Sequence, residues 1–242
     1  SAIKSVLTKY LEKNLDIYSY KRIDSILRSF NKDILPKLED GAVLYVPDEG
    51  KSYNIITEMY KRINPDAKVV TGWNKLIDFQ SKAKDLNVIV LDDCLVSGES
   101  AIKTFESIKK SGKLPNVKDV DMYFLTAYEE GLKSLPKDMN VHYAGEPRQY
   151  LRNSNYFRNE VDNKYKGILM KLLGTGNPKY SAYSSIMFPY MSPNNNSLFG
   201  AQMIKQLFSG PECAIKGFST PVLAEPKVSE NIAMMLEKAR AK

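Results

Sequence analysis

The segment Val88-Ile89-Val90-Leu91-Asp92-Asp93-Cys94-Leu95-Val96-Ser97-Gly98-Glu99-Ser100 constrains this chain more than any other. Val88 to Leu91 are β-branched or Leu, as in a strand buried on both faces of a helix-covered sheet. Two adjacent carboxylates follow. Desolvating them is costly, so they are expected at the carboxyl edge of the sheet, where open α/β folds bind ligands. After a short Ser/Gly/Ser loop, Ala101 to Lys110 reads as a helix. A helix N-terminus leaves N–H donors unpaired, and those of Ser97 to Ser100 are aimed at an anion. Acceptors for sugar hydroxyls or a metal therefore lie beside donors for a phosphate. A phosphorylated sugar satisfies both.

The flanking pattern agrees. Residues 42–46, 68–71, 121–126 and 140–144 read as further strands, and residues 53–63 as a helix after the first of them. Such alternation predicts a parallel α/β sheet over residues 40–146. Upstream, residues 3–38 read as helical: Ile23, Ile26, Leu27, Phe30, Ile34 and Leu35 recur near a 3.6-residue period, with Asp24, Arg28 and Lys32 opposite. Pro36 and Gly41 are expected to close that region. The expected organisation is an N-terminal helical extension (1–40), an α/β core (41–146) and a C-terminal α-rich elaboration with a terminal helix (147–242).

Val88–Ser100 resembles the phosphoribosyl-pyrophosphate (PRPP) binding motif of type I phosphoribosyltransferases, which is four hydrophobics, two acids and a Thr/Ser-Gly-x-Thr/Ser loop. Cys94 stands where an aliphatic residue is usual, and Ser97 where Thr is usual. The resemblance implies a type I phosphoribosyltransferase-like core whose C-terminal elaboration forms a hood. It implies that Asp92 and Asp93 hold the ribose 2′- and 3′-hydroxyls, while Val96, Ser97, Gly98, Glu99 and Ser100 hold the 5′-phosphate. Mg²⁺ is the implied cofactor, meeting Asp92 and Asp93 indirectly through PRPP. The implied reaction transfers the phosphoribosyl group to a nitrogenous base or base-like acceptor and releases pyrophosphate. A homodimer is compatible with this family.

A second loop, Asp48, Glu49, Gly50, Lys51 and Ser52, lies between a buried strand and a helix, as a phosphate cradle would. By resemblance it is the pyrophosphate loop, with Lys51 neutralising the leaving group beside the N–H groups of Gly50 and Ser52. Asp48 and Glu49 depart from the family, because carboxylates repel pyrophosphate unless a metal intervenes. Residues 72–86 occupy the place of the family's mobile loop, which closes to exclude water from an oxocarbenium-like centre. Lys75 there is a candidate for charge on the pyrophosphate, and the catalytic roles fall on Asp92, Asp93 and Lys75. Trp73 fits the core.

Composition excludes several classes. A single histidine, His142, rules against a His-rich metal site. Two cysteines, Cys94 and Cys213, make no disulfide framework and fit a reducing, cytoplasmic compartment. No apolar run approaches the ~18 residues of a membrane span. No signal-peptide pattern is visible, and a start at Ser1-Ala2 without Met fits a trimmed chain or a fragment.

A net charge of +7, partly from the tail Glu237 to Lys242, favours an anionic ligand. Between Arg148 and Tyr190 basic residues interleave with aromatics, among them Arg152, Tyr156, Phe157 and Arg158. That mixture suits a nucleobase or single-stranded nucleic acid, and equally a solvated helical surface. Asn194, Asn195 and Asn196 offer donors and acceptors to an acceptor base, or cap a helix.

Three rival functions remain. Gly50-Lys51-Ser52 with Asp92 suggests a P-loop NTPase, but the first glycine of that motif would fall on Tyr45, inside a strand. A PRPP- or nucleotide-binding sensor without catalysis accommodates the acidic loop. A nucleic-acid-binding protein would use the basic-aromatic region.

Overall fold

The structure, a computed structural model, describes residues 16–47, 52–150 and 186–188. In chain order the elements are β1 (Asp16–Ile17), α1 (Tyr20–Glu39), β2 (Val43–Val46), α2 (Ser52–Lys61), β3 (Val69–Thr71) and α3 (Trp73–Gln80). They continue with β4 (Leu86–Leu95), α4 (Glu99–Lys110), β5 (Val117–Ala127), α5 (Glu129–Ser134), β6 (Asn140–Tyr143) and β7 (Ile186–Met187). The chain divides into two compact units, Lys21–Arg148 and Ser1–Tyr20 with Gln149–Lys242.

In the larger unit five parallel strands are ordered β3-β2-β4-β5-β6. Both faces are covered, which explains the nearly unbroken apolar run of the central strand. On one face Val88, Val90, Met122 and Phe124 pack with Leu76 of α3 and with Ala101, Phe105 and Ile108 of α4. The residues of opposite parity, Ile89, Leu91, Tyr123 and Leu125, are also buried, as are Ile23, Leu27 and Ile34 of α1 and Ile56 and Tyr60 of α2. Phe30 packs on Tyr123 with ring centroids 5.3 Å apart, and the Tyr60 hydroxyl donates to Asn31 Oδ1 at 2.5 Å. Fully burying one such Leu or Ile stabilises by roughly 1.5–3 kcal/mol, so the two covered faces hold the sheet.

In the smaller unit β1 pairs in parallel with β7, Asp16 opposite Ile186, and Tyr18 packs on Phe188 at 4.9 Å between ring centroids. Among the described residues, no helix is long and apolar enough to cross a membrane.

Several expectations change. Asp16–Ile17 is a strand rather than helix: the apolar period begins only at Ile23, and partner strand β7 lies far along the chain. Helix α1 also runs through Pro36 to Glu39. Proline removes one hydrogen bond without stopping the turn; the stop comes at Gly41, whose φ of 94° suits glycine. There Ala42 N–H donates to the Lys37 carbonyl at 2.9 Å and Gly41 N–H to that of Leu38 at 3.1 Å, a Schellman closure. The helical character expected within residues 73–86 is borne out by α3, Trp73–Gln80. Leu76 and Gln80 are buried, and Asn116 Nδ2 donates to the Gln80 carbonyl at 3.1 Å. Helix α5 was not foreseen, because six residues carry too little periodicity to register.

Candidate functional site

From β2 the chain moves outward to β3 and then returns past β2 to β4. The loops after β2 and β4 therefore part at the carboxyl edge, opening the crevice in which parallel α/β sheets take ligands. The acid pair sits there, but not beyond the strand as the sequence suggested. Strand β4 continues through both acids to Leu95, with Asp92 opposite Phe124 and Cys94 opposite Thr126 on β5. Ladder pairing carries the backbone on, and the carboxylates are buried with it, Asp92 at 7% and Asp93 at 5% exposure. Pleating sends their side chains to opposite faces of the strand end.

Asp92 has local support. Ser52, the first residue of α2, donates its hydroxyl to Asp92 Oδ1 at 2.6 Å, and the Asp93 N–H donates to the same oxygen at 2.9 Å. Burial outweighs both bonds and pushes the Asp92 carboxyl up to about 6. Asp93 is worse served. Burial, and then the neighbouring Asp92 charge, drive its carboxyl far above the usual range. Its Oδ2 is buried and makes no hydrogen bond among the described residues. Such an orphan acceptor is rare in native interiors, because each costs roughly 1–3 kcal/mol.

Tyr53 connects this pair to the helix after it. Its buried phenol lies beside both Asp92 and Thr104 of α4. Burial, followed by the Asp92 charge, raises the phenol, so it stays a neutral donor. The half-buried Cys94 thiol is likewise pushed up, by burial first and then by Asp93 and Asp92. It therefore stays a thiol and is no nucleophile.

The anion loop follows at once. Gly98, at φ 80°, turns the chain into α4, and its carbonyl accepts from Ile102 N–H at 2.8 Å. Helix α5 braces the loop from behind. Ser134 Oγ lies 2.8 Å from the Ser97 carbonyl oxygen and 2.7 Å from that of Gly131. A Cβ on Gly131 would stand 2.4 Å from the Val96 carbonyl oxygen, and one on Gly98 would stand 2.5 Å from Ser134 Oγ. Val96 and Gly98 are buried against this brace, while Ser97, Glu99 and Ser100 are exposed. The first N–H groups of α4 thus open toward solvent at the crevice, with Ser97 Oγ accepting weakly from Glu99 N–H at 3.4 Å. Glu99 is drawn toward Lys103, 3.2 Å away.

The structure thus brings together Asp92, Asp93, Ser52 and the loop Val96 to Ser100. The Ser52 side chain serves Asp92, while the pyrophosphate role expected of this residue falls on its backbone N–H. Lys75 lies on the exposed face of α3. Asp48, Glu49, Gly50 and Lys51 lie outside the described residues, as do Arg152 to Arg158, Asn194 to Asn196 and Cys213. Tyr53, Thr104, Gly131 and Ser134 were missed. For the last two, Glu129-Glu130 at a helix start was the available signal. Among the described residues no cluster of three or more metal-ligating side chains exists.

A parallel sheet in this order, with an acid pair and an anion loop at the switch point, is the core of a type I phosphoribosyltransferase-like protein. The model of the PRTase-CE family matches residues 3–199, and the chain belongs to that family. Among solved structures it is similar to the purine phosphoribosyltransferase from Pyrococcus horikoshii Ot3, at 14% identity and a TM-score of 0.40. That match covers 56% of this chain and 91% of the other. No curated protein sequence matches.

Proposed function

We propose that the protein binds PRPP at the carboxyl end of β4 and transfers its phosphoribosyl group to a nitrogenous base or base-like acceptor. The observation that carries this is the orphan Asp93 Oδ2, buried beside Asp92 and only a few residues from an anion loop. An oxygen in that position wants a hydroxyl donor or a cation, and ribose brings two hydroxyls at the needed distance from its 5′-phosphate.

In this proposal the ribose 2′- and 3′-hydroxyls donate to Asp92 and Asp93, and the N–H groups of residues 97–100 hold the 5′-phosphate. The C1–O bond to pyrophosphate breaks, its electron pair leaving with pyrophosphate. The acceptor nitrogen forms the new bond to C1 and loses its proton. Ionised Asp92 and Asp93 favour the positive charge that develops on the ribose. Lys51, with Gly50 and Ser52, would receive the pyrophosphate, and Lys75, exposed on α3, would add positive charge to it. The acid pair suits Mg²⁺, a hard cation that takes few protein oxygens and keeps phosphate oxygens and waters. When bound with PRPP, Mg²⁺ would neutralise pyrophosphate charge. A reducing, cytoplasmic setting suits the free thiol of Cys94.

A thermal-shift titration with PRPP and Mg²⁺ tests the binding. The expected result is a rise in Tm that the Asp92→Asn/Asp93→Asn variant abolishes; no shift at millimolar PRPP would overturn the proposal. A second reading, binding without turnover, is favoured by α3 packing where the family has its mobile loop. Pyrophosphate release with a panel of bases separates the two.

A further inference from the structure

On the α3–α4 face of the sheet lies a groove of about 380 Å³ that the acid pair does not use. Its volume is within the range of small-ligand pockets, roughly 300–1,000 Å³. Tyr45 and Pro47 close it at the carboxyl end of β2, and Trp73 at the start of α3 forms a wall. The opposite side is a row of hydroxyls. Thr104, Ser107 and Ser111 recur at i, i+3 and i+7, one stripe of α4 and its C-terminal extension.

Two cations complete the lining, Lys103 and Lys113. Lys103 is shared with Glu99. Lys113 has no carboxylate partner among the described residues. An indole face, a row of hydroxyl donors and an unpaired ammonium group make a consistent set. The ring offers stacking to a flat heterocycle, the hydroxyls match a sugar, and the unpaired Lys113 matches a phosphate. Among the described residues, nothing in the lining is a carboxylate that would oppose an anion.

We propose that this groove is a second binding site, separate from the acid pair, for a nucleoside monophosphate whose base lies on Trp73 and whose phosphate lies at Lys113. It stands close to the other site, because Thr104 lines the groove and neighbours Tyr53, which lies beside Asp92. Binding in the groove nevertheless requires neither PRPP nor the reaction proposed above.

Trp73 is the only tryptophan of the chain, so its emission reports on the groove directly. The experiment titrates the full chain with AMP and with UMP, following Trp73 emission and, in parallel, heat of binding. A saturable signal with at least one of them is expected, weakened about tenfold or more by Lys103→Glu/Lys113→Glu. Both lysines are exposed, so that variant should melt as the unmodified protein does. The Asp92→Asn/Asp93→Asn variant should bind AMP or UMP unchanged while losing PRPP. Neither emission change nor heat up to about 10 mM nucleotide would overturn the proposal. So would equal affinity in the lysine variant, or loss confined to the aspartate variant, which would put the nucleotide at the acid pair.

Discussion

Asp92 and Asp93 on β4 and Asp121 on β5 are buried alike, at 7%, 5% and 7% exposure, yet their surroundings are opposite. Around Asp121, His142 Nε2 lies 3.1 Å and Lys37 Nζ 3.2 Å away. Burial alone would push this carboxyl up, but the His142 bond and Lys37 together hold it below the usual range. Lys37 also donates to the Tyr123 hydroxyl at 2.8 Å, Tyr123 bonds Asp33, and the Tyr123 ring stacks on His142 at 4.3 Å. That cluster ties α1 to β5 and β6. At the end of β4 there is no cation within reach among the described residues, both carboxyls are raised, and one oxygen is left without a partner. The same residue type at the same depth is a fastening where it is satisfied and a reserved ligand position where it is not.

The contrast is most sharply broken at Lys37. Replacing it with Met strands Asp121 without its cation, and we expect a loss of about 2–3 kcal/mol in urea unfolding, less than for a fully buried pair because Lys37 is part-exposed. An unchanged midpoint would mean the cluster fastens nothing. Next in size is Gly131→Ala. Its Cβ must displace the Val96 carbonyl, costing about 1–3 kcal/mol, and PRPP affinity should fall with it because the anion loop shifts. Retained stability and affinity would show that α5 does not set the loop.

The two clusters should also answer pH with opposite signs. As pH rises from the ordinary value of 3.8 to about 6, an unfolded Asp92 ionises while the folded one keeps its proton, so this contribution to stability falls. Asp33 is held below its ordinary value by the Tyr123 bond first and Lys37 beside it, and Asp121 is lowered as described. Their contribution is in place above 3.8 and is lost as pH falls through their depressed values. Each proton is worth at most about 1.4 kcal/mol per pH unit. Urea midpoints across the acid range should therefore peak between these windows, and a monotonic rise to neutrality would contradict the Asp92 assignment. PRPP affinity should strengthen as pH rises through about 6, since the ionised carboxylate is the better acceptor. The smallest effect is expected of Asp93→Asn, which removes a buried repulsion. Stability of the unliganded protein should hold or gain up to about 1 kcal/mol while PRPP binding is lost; a marked destabilisation would make Asp93 structural.

Much of the core was legible because its signals are local. The apolar run Val88 to Leu91, the acids after it and the Ser/Gly/Ser turn are contiguous, and the alternating strands around them needed only short windows. Ser52 could be read as part of an anion loop, yet its bond to Asp92 could not, since it joins residues 40 apart. Gly131 and Ser134 matter because they press on a loop more than 30 residues away, and nothing in six residues of helix announces that. Lys75 is marked by charge and position in the chain, and its exposure follows from Leu76 and Gln80, which anchor the other face of α3.

The sequence by itself determined that this chain builds a parallel α/β sheet with two carboxylates and an anion loop in succession, since periodicity and turn chemistry are properties of neighbours in the chain. Only the tertiary structure decided that strand β4 carries both acids into the interior, that Ser52 holds one of them, and that the other keeps an unmet oxygen. Desolvation and hydrogen bonding depend on which distant atoms arrive at a point in space, and the fold supplies those.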